Sequence, residues 1–246
     1  MSNNYSAPSA TLVNSNNTGQ TVQDAIEGNY SVELADILSE AWQKTKGIKR
    51  YILGAGATMY AIVFVVIFAV TMATIMASGA DPESTGPAAV LIQFIIQIVM
   101  MAIILPFSAG IFVMCMKQVQ GEQPAFSDAF SCFGKTGTLL LTMILMYIMI
   151  FIGFLLFIIP GIYLSIAYVM AIPLIVDKDM GPWEALETSR KAITKHWFSM
   201  FVFLIVLSLI MFVSMLPLLI GMIWSIPMMS VAMAVLYREI FGISSY

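Results

Sequence analysis

Four long runs of the chain carry no charged residue: 51–80, 88–116, 136–176 and 197–237. A helix needs about 20 apolar residues to cross a hydrocarbon core of about 30 Å. The first two runs suit one crossing each. The third and fourth would each reach about 61 Å as straight helix at 1.5 Å per residue. That is twice the membrane, so each must fold back. Pro160-Gly161 divides the third run, and Pro217, followed by Gly221, divides the fourth. Proline removes a helix donor and glycine accepts turn conformations, so both mark reversal points. The expected fold is all-α: a polytopic membrane helical bundle with six transmembrane helices arranged as three hairpins. The expected spans are about 52–76, 90–114, 139–159, 161–176, 198–216 and 219–237.

Composition agrees. The chain is 60% hydrophobic and 10% charged, whereas a soluble domain carries about 25% charged residues. All eleven Lys and Arg can be placed on one side of a membrane: 44, 46, 49, 50, 117, 135, 178, 190, 191, 195 and 238. The opposite loops hold only Asp81 and Glu83 as charged residues. Basic residues near span ends are retained in the cytoplasm, so both termini are expected there. The net charge of −3 comes largely from Asp24, Glu27, Glu33, Asp36 and Glu40. It offers no basic excess for nucleic acid. Residues 1–30 are polar and lack an apolar run, which predicts a disordered cytoplasmic tail before a membrane domain at 31–246. Cys115 and Cys132 fall on the reducing side, against a disulfide. Trp224 is expected at the outer interface.

Each expected pair of spans is preceded by an amphipathic approach. In 31–46, Leu34, Ile37, Leu38, Ala41 and Trp42 share a helical face. In 125–135, Phe126, Phe130 and Phe133 do so. In 182–196, Pro182 opens the helix, Leu186 and Ile193 share its face with Trp197 just beyond, and acidic residues precede basic ones as the helix dipole favours. These segments are expected as interfacial helices on the cytoplasmic surface. Their ends place Lys49, Arg50, Lys135, Arg190, Lys191 and Lys195 against anionic lipid headgroups, each cation contributing about 1 kcal/mol.

The chemistry of the spans is sparse. None contains an ionisable side chain, whereas ion-coupled carriers usually place such groups inside the membrane. Intramembrane proteases need a histidine pair or a serine with a base. The single histidine, His196, lies at a membrane entry, and Asp177 with Asp179 supplies too few ligands for a divalent cation. No enzyme activity, cofactor or metal is expected. Gln93 and Gln97 are four apart, on one face of the second span. They are the candidates for a polar path, or for an interhelical hydrogen bond. Gly161 with Ser165, and Ala167 with Ala171, give the small-residue spacing of close helix packing.

Several short motifs carry a resemblance. They are Leu105-Pro106-Phe107-Ser108-Ala109-Gly110, Phe126-Ser127-Asp128-Ala129-Phe130, Pro160-Gly161-Ile162-Tyr163-Leu164, Ile172-Pro173-Leu174-Ile175-Val176-Asp177 and Glu184-Ala185-Leu186-Glu187-Thr188-Ser189. Over about residues 100–240 the chain resembles the YciC-like bacterial inner-membrane proteins. It is also similar to the related membrane domain fused to some glycerophosphoryl diester phosphodiesterases. The resemblance implies a six-helix inner-membrane protein near lipid metabolism, with Pro106, Pro160, Gly161, Pro173, Asp177, Ser189 and Pro217 as structural or helix-break positions. The catalytic residues of the fused enzymes lie in a soluble barrel absent from these residues, so phosphodiesterase activity is not implied. The leading expectation is a non-enzymatic membrane protein that organises lipid or partner proteins, as a homo-oligomeric scaffold. The alternative is a transporter or channel for a lipid-like or uncharged solute.

Overall fold

A computed structural model describes residues 20–78, 87–216 and 220–244. Most of the expected tail, Asp81, Glu83 and Pro217 lie outside the described residues. Among the described residues the fold is entirely helical. The helices are α1 (Val22–Glu27), α2 (Leu34–Ser78), α3 (Pro87–Gln120), α4 (Thr136–Leu156), α5 (Ile158–Ala167), α6 (Ala171–Lys178), α7 (Pro182–Lys195), α8 (Trp197–Met215) and α9 (Met222–Phe241). Two 3-10 turns, Phe126–Phe130 and Phe133–Lys135, link α3 to α4. Six helical stretches are long and apolar enough to cross a membrane, with α5 and α6 together forming the fourth.

Three local features differ from expectation, each for a physical reason. Residues 22–27 form a capped helix rather than disordered tail. Thr21 and Asp24 close a capping box, Gly28 ends the helix at φ 86°, and Ala25 is fully buried. The approach at 31–46 is not a separate helix, because α2 continues through it to Ser78 without a break. Its inner line runs Ile37, Ala41, Thr45, Ile48, Ile52 and Ala55, all buried, while Trp42 is exposed. The approach at 125–135 is 3-10 rather than α, with Phe126, Phe130 and Phe133 clustered in ring contact around Phe107.

The prolines act with an offset. The reversal between α4 and α5 falls at Phe157, in extended backbone at φ −161°, ψ 156°, rather than at Pro160. Pro160 is the third residue of α5 and Pro173 the third of α6. In a first helical turn the missing N–H has no intrahelical partner to lose. The ring instead excludes the preceding turn, so each break sits just upstream, at Phe157 and at Tyr168–Met170. Pro106 lies within α3, buried, and does not end that helix.

Close approaches fix the packing. A Cβ at Gly110 would strike the backbone of Ala129 and Asp128, so the first 3-10 turn rests directly on α3. Gly153 and Gly161 face each other; a Cβ on Gly153 would meet Gly161 at 3.1 Å, and one on Gly161 would enter the Phe154 ring. Small residues let membrane helices approach this closely.

Candidate functional site

The structural polar groups of the chain gather at one end of the helical assembly, where helices remote in sequence are tied together. Arg238 on α9 forms a bidentate pair with Glu40 on α2, at 2.6 and 2.7 Å, and also holds Glu239. Such forked pairs are among the stronger charge-assisted bonds. Lys44 Nζ donates to Val119 O at 2.7 Å, and Gln118 Nε2 returns a bond to Lys44 O at 3.1 Å, locking α2 to the end of α3. Lys117 pairs with the buried Asp128 at 2.8 Å, and Asp128 also accepts from the Ala125 N–H, ordering the 3-10 turn.

Asp177 organises the second cluster. Its side chain is completely buried and pairs with Lys178 at 3.1 Å. It accepts from Tyr237 Oη at 2.8 Å and from the Ser244 N–H at 3.0 Å. These two donors lie on α9 and on the segment after it. Nearby, Lys135 Nζ donates to the carbonyls of Ile175 and Val176 at 3.2 Å and pairs with Asp179 at 2.9 Å. A cation at the C-terminal carbonyls of α6 is favoured by the helix dipole. Asp179 itself ends α6 in the left-handed conformation at φ 55°.

Ser189 mends the gap between α5 and α6. Its Oγ donates to Ala167 O at 2.7 Å and accepts from the Met170 N–H at 3.2 Å. α7 thereby supplies the bonds the broken helix lacks. Tyr30 Oη donates to Ala192 O at 2.9 Å, and burial pushes its phenol up from the ordinary range. His196 Nε2 lies 3.0 Å from Gly28 O and its ring meets Tyr30 edge-on at 4.7 Å. Among the described residues no buried side-chain nitrogen or oxygen lacks a partner. No group of three His, Cys, Asp or Glu there could hold a metal ion.

The cations named for headgroup contact divide into two kinds. Lys135 is occupied by carbonyls and Asp179, and Arg190 is forked onto Glu187 at 2.7 and 2.9 Å. That hydrogen bond holds the Glu187 carboxyl below its ordinary range and raises Arg190. Lys191 reaches Glu187 at 3.5 Å but is half exposed, and Lys195 and Arg50 are exposed. Lys49 Nζ lies 3.9 Å from the Trp224 ring centroid. A cation–π contact of this kind puts both at one level, so Trp224 does not lie a membrane's thickness away from Lys49.

Gln93 and Gln97 are both exposed on α3. The groove beside them, about 240 Å³ between α2 and α3, is lined by Val66, Val70, Ile95, Ile96 and Val99. Neither glutamine lines it. The polar partners that reasoning on the sequence missed are Glu40, Arg238, Tyr237 and Ser189's two backbone bonds. Glu40 and Arg238 stand 198 residues apart and share no local signal.

The chain is 27% identical, over 176 aligned residues, to uncharacterized proteins of Mycobacterium bovis and Mycobacterium tuberculosis. The alignment covers 67% of this chain and 52% of each relative. The chain thus spans about half the length of the curated relatives it matches. No family model matches, and no solved structure does. The six apolar helices decide the class. This is an integral membrane protein.

Proposed function

We propose that the protein is a non-enzymatic, multi-pass protein of a bacterial inner membrane that organises lipid or partner proteins at the cytoplasmic surface. In this reading helical hairpins enter the membrane from the side that carries the packed polar end, the Lys49–Trp224 contact lies near that surface, and both termini are cytoplasmic. The observation that carries it is the division of the molecule. Cations and hydrogen-bond networks occupy one end, while the helices leaving it expose Phe64, Phe68, Phe94, Phe151, Phe157 and Phe212. An apolar surface of that extent needs lipid or protein against it.

The buried polar groups are consumed in holding helices together, and that supports a structural role for them over a catalytic one. Exposed cations at Arg50, Lys191 and Lys195 fit attraction to anionic headgroups. The motifs around Pro106, Pro160, Pro173 and Ser189 support membership of the YciC-like proteins, and the packing roles of Pro160, Gly161 and Ser189 make sense of those motifs. The transport reading needs a polar path, and the groove near Gln93 and Gln97 is apolar.

Extraction into native-lipid nanodiscs followed by mass measurement tests the proposal. Co-purifying anionic lipid and more than one copy per particle are expected. A strict monomer without retained lipid overturns it.

A further inference from the structure

We propose that α4 and α5 do not cross the membrane but form a re-entrant apolar wedge, entering and leaving on the face that carries α7. This rests on the membrane reading above and revises one of its hairpins.

The inference comes from what α7 touches. In 14 residues α7 carries Glu184, Glu187, Arg190, Lys191 and Lys195, and such a helix is excluded from hydrocarbon by the cost of its charges. Yet it packs against α4 and α5. Leu186 joins Tyr168 and Ala171 in one cluster, against which Leu145, Met146, Met149, Ile150 and Leu164 pack. Ser189 bonds both sides of the gap at 168–170. Closest to the tip, Tyr163 Oη and Thr194 Oγ1 lie 2.6 Å apart, and Trp197 Nε1 donates to Tyr163 O at 3.4 Å. The same end of α7 is tied by His196 and Ala192 to the polar segment at Gly28–Tyr30.

The charged helix α7 therefore flanks α5 as far as Tyr163, and Ile150 on α4 packs on the cluster that Leu186 joins. Residues 151–162 project beyond these contacts. From Tyr163 to the reversal at Phe157 is six residues, about 9 Å of helix. The hydrocarbon core is about 30 Å thick. The projecting tip cannot reach the far side unless α7 is dragged into the lipid.

The tip is nevertheless built for lipid. Leu155, Phe157 and Ile159 are 74%, 75% and 79% exposed, and Phe151, Phe154, Leu156 and Ile158 extend the same surface. Below it the exposed side of α4 continues as Leu141, Ile144, Ile148 and Ile152, a stripe that suits an oblique helix with one side in lipid. Lys191 and Lys195 stand exposed on α7, the helix whose Thr194 meets Tyr163. Apolar tip and flanking cations together fit one occupant, the near leaflet of a bilayer.

Depth measurement tests it on the whole protein in liposomes. Nitroxide labels are attached singly at Tyr147→Cys and Phe157→Cys, with Cys115 and Cys132 replaced by Ala, and relaxed by oxygen or by a nickel chelate. Both labelled positions are exposed, so the packed core is undisturbed; Ile159→Cys serves as a second tip site. A spanning helix is deepest near its middle, so it places Tyr147 deeper than Phe157. The wedge places Phe157 and Ile159 as deep as Tyr147 or deeper. The first result overturns the inference and the second supports it. High nickel access at all three sites would instead remove the apolar end from the bilayer and overturn the membrane reading together with this one.

Discussion

At the polar end, side chains reach between helices remote in sequence: Glu40 to Arg238, Asp177 to Tyr237 and Ser244, Lys135 to the end of α6. The interior there is closed, and Phe107, Phe203, Phe241 and Tyr237 are fully buried. At the apolar end, α2 beyond Tyr60, α3 before Met100 and the α4–α5 tip carry residues just as large and apolar, but exposed. One end is specified by geometry and bonding within the chain, the other by transfer into a solvent the chain does not contain. Burial drives folding only for surface removed from water. The polar end must therefore carry the interactions that fix one arrangement, while the apolar end needs only to match the bilayer.

That contrast predicts a steep gradient of mutational cost. The largest effect is expected at Asp177. Asp177→Ala removes a buried carboxylate from Tyr237, Ser244 and Lys178, and breaking a buried pair by deleting one partner costs about 3–5 kcal/mol. Unfolding in mixed detergent and denaturant should show a loss of that order, and an unchanged midpoint would dissolve the distinction between the two ends. Next is Gly110→Val. Its side chain must displace the backbone of Ala129 rather than a flexible side chain, at about 1–3 kcal/mol or more. Ser189→Ala follows at about 1–3 kcal/mol, because it strands the Met170 N–H and the Ala167 carbonyl. Leu155→Ala and Ile159→Ala should shift the detergent unfolding midpoint by less than about 0.5 kcal/mol. A large loss there would show that the tip packs against protein.

The smallest effect concerns pH. The Arg190 hydrogen bond holds the Glu187 carboxyl below its ordinary range. A depressed carboxyl stabilises the fold above its unfolded pKa and loses that contribution as pH falls through the folded one. Wild type should therefore lose slightly more stability than Glu187→Gln on acidification below the ordinary glutamate range. Equal acid sensitivity would show that the α7 pair contributes nothing.

How much was legible follows the same division. The apolar end was readable because lipid selects for composition and length. The four uncharged runs and the helical class need no knowledge of partners. The polar end was not readable in detail. Ile37 and Ala41 were recognisable as one face, yet nothing local showed that they pack inward while Trp42 stays out, or that α2 runs on unbroken. Pro160 announced a reversal but not its offset to Phe157, which depends on where an unmade N–H is harmless. Asp177 stood out as a charge ending a long apolar run, while its partners Tyr237 and Ser244 lie 60 and 67 residues away. Ser189 stood out through its motif as a structural position, but nothing local showed which groups it holds. Only the gap at 168–170 gives it work.

The central claim is that the polar end lies on the cytoplasmic side of a membrane that receives the apolar end. Single cysteines at Lys46 and Lys191, both exposed, in a background with Cys115 and Cys132 replaced by Ala, test it with a membrane-impermeant maleimide. The account predicts labelling of Lys46→Cys and Lys191→Cys in inside-out vesicles and none in intact spheroplasts. Labelling of either position from the outside of intact spheroplasts contradicts it.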